Sequence, residues 1–598
     1  MVVSRWNGIL ASVKDRTRGT TLLVLVTAFA LFVKCVLFSY MAYHLVIISS
    51  LWKMPHIFGD YYFPKIAAAI FFASLLFVIK RKYWYFLILF IVDAWCVANL
   101  CYFRISGFMV DAYALSMVGN MDGFWGSSLF LLEKKDMLFP LTSIALIPLY
   151  IYYAPSYARN IRAFGYAILS AFMVHMCGMA CQACETYKIK RNLYNQYEEL
   201  FHDRKKPCYF DYVYINPFGR KNREASFYEA SDFPYQVKRL SILHSPGIII
   251  SDLIYMHNDK YEMTDKDINE VQQYIGPDDA YTYSDRIVLL LLESLEDWVI
   301  RPSSMPNLYS FINNNEHILY VKTITSQIAQ GSSSDGQFII NTGMLPCNEG
   351  AVVFRYPTNK YPAWARLAEG KTATIIPHAT TVWNQALMSP AYGYDTTIVS
   401  KERDEEIYEK VIQCMDSKYQ VVQALTLLSH APFTGGAALS NLQVDSVMPH
   451  YMRDYIKCFH YSDACLKIIL DKIKNDSIWR NTTLVITGDH TILTPDKREE
   501  FAHYCEESGA PYQVEESYCP LIIYSPQIEK KRIIDNIQCY QMDIYPTIMH
   551  TNGGGRFFWK GFGRNLLSDT IPEIDVDAQR ILSDKLIRSN YFENTIME

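Results

Sequence analysis

Apolar residues are distributed unevenly along the chain. Before residue 184 they gather into long runs, and after it they fall into short runs separated by mixed, helix-period stretches. Five early runs, near Thr21 to Tyr40, Tyr61 to Ile79, Tyr83 to Phe103, Met137 to Tyr153 and Phe164 to Cys184, approach the roughly 20 helical residues needed to cross a hydrocarbon core of about 30 Å. They predict an α-helical bundle of five membrane spans over residues 1–184. The first run is too long for a cleavable leader and more runs follow, so it is expected to stay as a span. Residues 185–245 mix charges with aromatics and read as a partly helical, membrane-proximal linker. Residues 246–598 have the polarity of a water-soluble domain.

In that later part, strongly apolar runs end repeatedly in a group able to bind metal or move a proton. Arg286 to Leu292 leads into Glu293, Ala373 to Pro377 into His378, Val421 to Ser429 into His430, and Thr483 to Thr487 into Gly488, Asp489 and His490. Runs of this length, apolar on both faces, suit strands of a mostly parallel sheet covered by helices. Ligands of open α/β sheets bind beyond the carboxyl ends of the strands, so these side chains are expected on one rim. Each alone reads more readily as a satisfied polar residue at a strand end; the repetition favours a site. The stretch Gly331-Ser332-Ser333-Ser334-Asp335-Gly336 precedes an apolar helical face beginning at Phe338. A turn opening a helix favours an anion and is a fitting place for a nucleophile.

Lys and Arg set the expected orientation. Arg5, Lys14, Arg16 and Arg18 precede the first span, Lys80, Arg81 and Lys82 join the second to the third, and Arg159 and Arg162 join the fourth to the fifth. All three clusters fall on one side, which short cytoplasmic loops require. Residue 185 onward is then extracytoplasmic, as is the loop from Arg104 to Lys135. Phe124, Trp125 and Leu129 to Leu132 in that loop read either as interfacial helices or as ordinary polar loop. The net charge of −5 comes without a long basic run, which removes nucleic acid from the expected partners. Among fourteen cysteines the nearest thing to a cluster is Cys177, Cys181 and Cys184 at the end of an apolar stretch, which does not suit a structural zinc ribbon, and Cys505 and Cys519 flank a polar insert where a disulfide is one option and two free thiols the other.

A serine hydroxyl must be activated by a base or a metal before it attacks. Glu, Asp and His side chains from these strand ends with a serine alkoxide would form a four-ligand site for one divalent ion, Mn²⁺, Mg²⁺ or Zn²⁺, and Gly488 permits the turn by which the adjacent Asp489 and His490 could reach one ion. A hydrolase triad has less support, because the chain has no G-x-S-x-G elbow.

Taken together, Leu-Leu-Glu293-Ser-Leu, Gly331-Ser332-Ser333-Ser334-Asp335, Trp383-Asn384, Ser429-His430, Gly488-Asp489-His490, Asp543-Ile544-Tyr545-Pro546-Thr547 and Gly561-Phe562-Gly563-Arg564-Asn565 resemble the lipoteichoic acid synthase family. That family is a branch of the sulfatase-like alkaline phosphatase superfamily, and the five-span layout agrees with it. The resemblance implies Glu293, Ser333, Asp489 and His490 as metal site, Mn²⁺ as the foremost ion, Ser333 as nucleophile, and His378, Trp383, Gln385 and His430 against substrate, with His430 also assisting the chemistry. It further implies a bacterial inner-membrane enzyme moving a phosphoglycerol head group from a phospholipid donor to a lipid or glycan acceptor through a phospho-serine. Phosphoethanolamine transfer, plain phosphodiester hydrolysis and a non-enzymatic sensor or transport role are the alternatives.

Two positions depart from the family pattern. Serine stands for threonine at 333, preserving the hydroxyl. Gln385 stands where the family carries an arginine, exchanging a charged fork for a neutral amide. Ser333 is followed by Ser334, Asp335 and Gly336, without the proline and arginine that formylglycine sulfatases require, so sulfate-ester cleavage is not expected.

Overall fold

A computed structural model describes residues 2–43, 62–79, 83–106, 109–116, 132–153, 159–196, 241–255, 260–276, 286–347, 350–400, 403–493, 495–514, 516–553 and 558–595. Two compact units form, one from residues 1–115 and 131–258, the other from 116–130 and 259–598.

The first unit is helical. Its elements are α1 (Val2–Tyr43), α2 (Phe63–Ser74), α3 (Tyr83–Ser106), α4 (Leu138–Ala145), α5 (Ile147–Tyr153), α6 (Ile161–Gln196) and α7 (Ser245–Tyr255). Among the described residues three helical segments, Gly19–Ala42, Tyr85–Arg104 and Ile161–Cys181, are long and apolar enough to cross a membrane. The other two expected spans differ. Phe63–Phe77 is a shorter apolar helix whose last turn is 3₁₀, and the Met137 to Tyr153 run is two helices interrupted at Leu146. Lys34 of α1 and Asp93 of α3, both buried, form an ion pair inside this bundle. Phe139 O and Ser143 Oγ of α4 accept from Lys34 at 2.8 and 3.1 Å, and Ser143 Oγ donates to Asp93 at 2.5 Å. A buried charge is tolerated only with such partners, and here the pair ties three helices together. Ile242, Leu243, Ile248 and Ile249 pack into the same core as Leu23, Leu31 and Leu89. The expected interfacial helices around Phe124 and Trp125, and most of the expected 185–245 linker, lie outside the described residues.

The second unit is a nine-stranded sheet with helices around it. The strands are β1 (Arg286–Leu292), β2 (Ile318–Thr325), β3 (Thr372–Ile376), β4 (Thr396–Val399), β5 (Val421–Leu425), β6 (Thr482–Gly488), β7 (Cys519–Tyr524), β8 (Arg532–Ile534) and β9 (Cys539–Tyr540). Their order is β4-β3-β5-β1-β6-β7-β2-β8, with β9 beside β2. The sheet is mixed: β7 runs antiparallel to both β6 and β2, whereas the other pairings are parallel. Helix α8 (Ser333–Thr342) and helix α9 (Asp404–Asp416) precede α10 (His450–Asn475), α11 (Ile544–Gly553) and α12 (Val576–Ser589). Met452, Tyr455, Ile456, Phe459, Leu466, Ile469, Leu470 and Ile473 of α10 recur at three- and four-residue steps and are buried in the core with β1 side chains Val288, Leu290 and Leu292. Cys505 and Cys519 are both free thiols, so no disulfide closes the insert between them.

Candidate metal centre

Strand register brings the key residues together. β1 lies between β5 and β6, both parallel to it, and Leu292 pairs with Gly488. The residues that follow, Glu293 and Asp489, therefore leave neighbouring strands at the same end. Gly488 is required there, because a Cβ would lie 2.3 Å from the Leu295 carbonyl. Glu293 N donates to Thr426 Oγ1 at 3.1 Å, and Ser429 Oγ donates to Glu293 O at 2.6 Å, so the loop carrying His430 clasps the backbone of Glu293.

Ser333 is the first residue of α8, and Ser332 before it has φ 47°. A non-glycine residue with positive φ costs on the order of 1 kcal/mol or more and marks a turn held by its surroundings. Asp335 does the holding: its Oδ2 accepts from Ala329 N at 2.9 Å and Gly331 N at 2.8 Å. Ser294, Trp383, Asn384 and Phe433, all near the same strand ends, also have positive φ.

Glu293, Asp489 and His490 are buried and each offers a ligand atom within 4.8 Å of the others. His490 Nε2 lies 3.4 Å from Glu293 Oε1 and 3.7 Å from Asp489 Oδ2. Ser333 Oγ is 3.3 Å from Glu293 Oε2 and 3.2 Å from His490 Nε2. Asp489 Oδ1 accepts from Ser294 N at 2.8 Å and from His490 N at 2.9 Å. His490 Nδ1 lies 3.1 Å from the Thr491 carbonyl, which can only accept, so Nδ1 carries a proton and Nε2 is the atom left for a ligand role. His430 and His378 are fixed in the same way by the carbonyls of Ala431 and Ala379, at 2.7 and 3.2 Å.

The electrostatics are those of a cation site. Burial pushes the Asp489 carboxyl up to about 7, with the charge of Glu293 adding to the effect. Burial would also raise Glu293, yet the hydrogen bond and charge of His490, followed by the charge of His430, hold it at about 2. His490 is pushed up to about 10 against its burial by the charge of Asp489 and the hydrogen bond and charge of Glu293. Two buried carboxyls thus recruit one proton-borne positive charge, a role that a divalent ion fills better. The O, O, N and hydroxyl donors fit Mn²⁺, Mg²⁺ or Zn²⁺.

The remaining expected residues are placed differently. His378 and His430 are close enough for Glu293 to feel or influence their charge. Trp383 is half-buried, with its ring 6.1 Å from that of Phe354. Gln385 is buried, with Nε2 donating to Gln337 Oε1 at 2.7 Å and Oε1 accepting from Ser389 at 3.1 Å. Both ends of its amide are thus used inside the protein.

Three supporting residues escaped the sequence reading. Glu296, buried, accepts from Ile492 N at 2.8 Å, Leu493 N at 3.0 Å and Trp298 Nε1 at 2.8 Å, and so holds the segment after His490. Tyr455 Oη donates to Ser294 O at 2.8 Å and accepts from Glu296 N at 3.0 Å. Gln541 Nε2 donates to Asp489 O at 2.6 Å. An acid three positions after Glu293 was a visible signal for the first; for the other two the sequence carries none.

Comparison with known proteins gives a consistent family. The model of the lipoteichoic acid synthase N-terminal domain matches residues 9–197, and the sulfatase model matches residues 347–554. These matches support a lipoteichoic acid synthase-like family. Lipoteichoic acid synthase-like YvgJ of Bacillus subtilis is 25% identical over 264 residues, 40% of this chain and 43% of that protein. Lipoteichoic acid synthase 1 of Bacillus subtilis is 22% identical over 51% of this chain and 52% of its own. The chain thus spans about half the length of the curated relatives it matches. Among solved structures, the lipoteichoic acid synthase LtaP from Listeria monocytogenes aligns with TM-score 0.44 at 17% identity, over 56% of this chain and 98% of that one. The phosphoethanolamine transferase EptA from Neisseria meningitidis aligns with TM-score 0.47 at 12% identity, over 90% and 95%. The sulfatase match contains His378, Trp383, Gln385, His430, Asp489 and His490, whereas Glu293 and Ser333 lie before it. The register of β1 against β6 joins Glu293 to the matched part, and the contact of Ser333 Oγ with His490 Nε2 joins Ser333.

Proposed function

We propose that the chain transfers a phosphoglycerol-type head group from a phospholipid donor to a lipid or glycan acceptor at the outer face of a bacterial cytoplasmic membrane. In this reading residues 1–184 anchor it by five spans, 185–245 connect, and 246–598 carry out the chemistry. The observation that carries the proposal is the meeting of Glu293, Ser333, Asp489 and His490 at one buried point beside a helix N-terminus. A protein with only structural use for these residues has no reason to bury two acids together.

A divalent ion held by Glu293, Ser333, Asp489 and His490 would lower the Ser333 pKa and screen charge developing on phosphate; Mn²⁺ is the foremost choice. Ser333 Oγ attacks the phosphorus of the donor, the bond from phosphorus to the diacylglycerol oxygen breaks, and that oxygen takes a proton as diacylglycerol leaves. An acceptor hydroxyl then attacks the phosphoserine, gives up its proton, and returns the Ser333 oxygen as leaving group. His430, whose ring is oriented by Ala431 O through Nδ1, is the residue placed to move a proton at the reacting oxygens. The strained turn at Ser332 and the tie from Asp335 hold Ser333 without further ordering when substrate arrives.

Phosphoethanolamine transfer is the second reading, favoured only by the loss of the family's arginine at position 385, since the Gln385 amide is itself spent on Gln337 and Ser389. Incubating the purified chain with Mn²⁺ and equimolar phosphatidylglycerol and phosphatidylethanolamine, then measuring the mass of the Ser333 peptide, separates the two. A glycerol-phosphate adduct upholds the first, and an ethanolamine-phosphate adduct the second. Loss of head group with neither adduct, persisting in Ser333→Ala, would remove the phosphoserine route altogether.

A further inference from the structure

The helical unit contains a cavity of about 390 Å³ between α2, α6 and the start of α7, within the roughly 300 to 1,000 Å³ of ordinary ligand sites. Its walls include Ala68 and Phe71 of α2 and Ala171 and Phe172 of α6, and at its polar end stand His175 and His244. The small side chains at Ala68 and Ala171, both buried, leave the space open. Phe172 and Phe71 are 55% and 44% exposed, so the cavity reaches the outer apolar surface of the bundle. His175 lies inside Ile161–Cys181, a segment long and apolar enough to cross a membrane. An ionisable residue at that depth is costly and commonly serves a ligand. Its ring is 5.7 Å from that of His244, whose Nδ1 lies 2.8 Å from Ser241 Oγ.

We propose that this cavity is a binding site for a glycerophospholipid from the surrounding bilayer. One acyl chain enters between Phe71 and Phe172, and the ester oxygens accept hydrogen bonds from the imidazoles. The exposed apolar mouth fits hydrocarbon, and the paired rings supply hydrogen-bond donors for the ester oxygens. An acyl chain is the occupant that matches both ends: water does not fill an apolar space, and a free anion finds no favourable path through the mouth. The site lies wholly in the helical unit. The inference rests on the membrane placement proposed above, and is independent of the transfer chemistry.

The test uses the full chain in vesicles doped with phosphatidylglycerol carrying a diazirine midway along one acyl chain. After illumination, adducts are mapped by peptide mass. Leu25 and Phe29 on α1, 61% and 66% exposed, report ordinary contact with bulk lipid. The expected result is roughly tenfold more adduct on peptides bearing Ala68, Phe71, Ala171 and Phe172 than on the α1 peptide, the enrichment of a retained lipid over a passing one. Ala171→Phe and Ala68→Phe fill the space from opposite helices, and each should return the enrichment to the α1 level while leaving α1 labelling unchanged. Excess unlabelled diacylglycerol should compete as well as unlabelled phosphatidylglycerol, since the esters and chain are what is held. Equal labelling of cavity and α1 peptides, or enrichment untouched in both filled variants, overturns the site. No labelling on any helix overturns the membrane placement and this inference with it.

Discussion

At the scale of single residues, the metal centre is a problem in charge. Glu293 and Asp489 cannot both be ionised in a buried space without a nearby cation, and the proton on His490 serves as that cation when no metal is bound. Asp489→Asn removes one ligand charge while keeping shape and most hydrogen-bond capacity. Bound metal should fall at least tenfold in this variant, and head-group release should fall with it, measured by elemental analysis alongside a lipid-turnover assay. Unchanged metal stoichiometry would mean that Asp489 is not a ligand. Ser332 offers a separate test, since its positive φ is a strain that glycine does not feel. Ser332→Gly should leave thermal stability equal or higher by about 1 kcal/mol yet slow turnover, because the turn presenting Ser333 becomes freer.

At the scale of elements, the centre depends on how closely α8 approaches the loop after β6. A Cβ on Gly336 would lie 2.1 Å from the Asp489 carbonyl oxygen, a backbone atom that cannot swing aside. Gly336→Ala should push Ser333 away from Glu293 and His490, costing on the order of 1 to 3 kcal/mol of stability. Activity should drop by more than stability explains, and chemical denaturation beside single-turnover kinetics would separate the two. Helix α9 carries another element-level device. Asp404 is buried, and its Oδ1 lies 3.4 Å from Leu427 N and 3.5 Å from Leu428 N in the segment leading to His430. Burial pushes this carboxyl up to about 6 from 3.8, the backbone donors offsetting only part of the effect. Because the folded value is raised, ionisation opposes folding: stability should fall as pH rises from about 4 to about 6 and level off above that. Asp404→Asn should remove this slope, melting with the wild type near pH 4 and above it at pH 7 by on the order of 3 kcal/mol. Parallel melts of both proteins across that range are the check.

At the scale of the whole molecule, a metal at the proposed centre would tie together parts of the chain that lie far apart in sequence. Glu293 follows β1, Ser333 opens α8, and Asp489 and His490 follow β6. An ion held by all four stabilises the folded second unit by mass action, about 2.7 kcal/mol at a hundredfold excess over its Kd. Chelation should accordingly lower the unfolding temperature of that unit and leave the melting of the helical unit, followed by its helix signal in vesicles, unmoved. The proposed topology has its own measurement. A reporter active only in the cytoplasm, fused after Glu598, should be silent, and strong signal there would reverse the orientation drawn from the basic clusters.

The sequence by itself pointed to the four residues that the structure brings together, Glu293, Ser333, Asp489 and His490. Short apolar runs ending in Glu293 and in Asp489-His490 are readable because a strand buried on both faces has few places for a polar group except its end. Ser333 is readable because a Gly-Ser turn before Phe338 has the form of a helix start. The transmembrane reading was partly legible in the same way: α1, α3 and α6 follow from length and hydropathy alone. The break at Leu146 is not visible in hydropathy, and its signal is Pro148, which lacks the backbone donor needed to continue the preceding helix and sits in the first turn of the next. The antiparallel course of β7 was hidden for a related reason, since a buried strand has the same composition in either direction. Gln385 marks the limit at the site. Its type and motif position point to substrate, but only packing decides whether an amide faces a ligand or a neighbour, and here it meets Gln337 and Ser389. Glu296, Tyr455 and Gln541 became visible only in three dimensions because their work is done on backbone atoms of distant segments. Such partners follow from the register of strands and the approach of helices, and neither is written in local sequence.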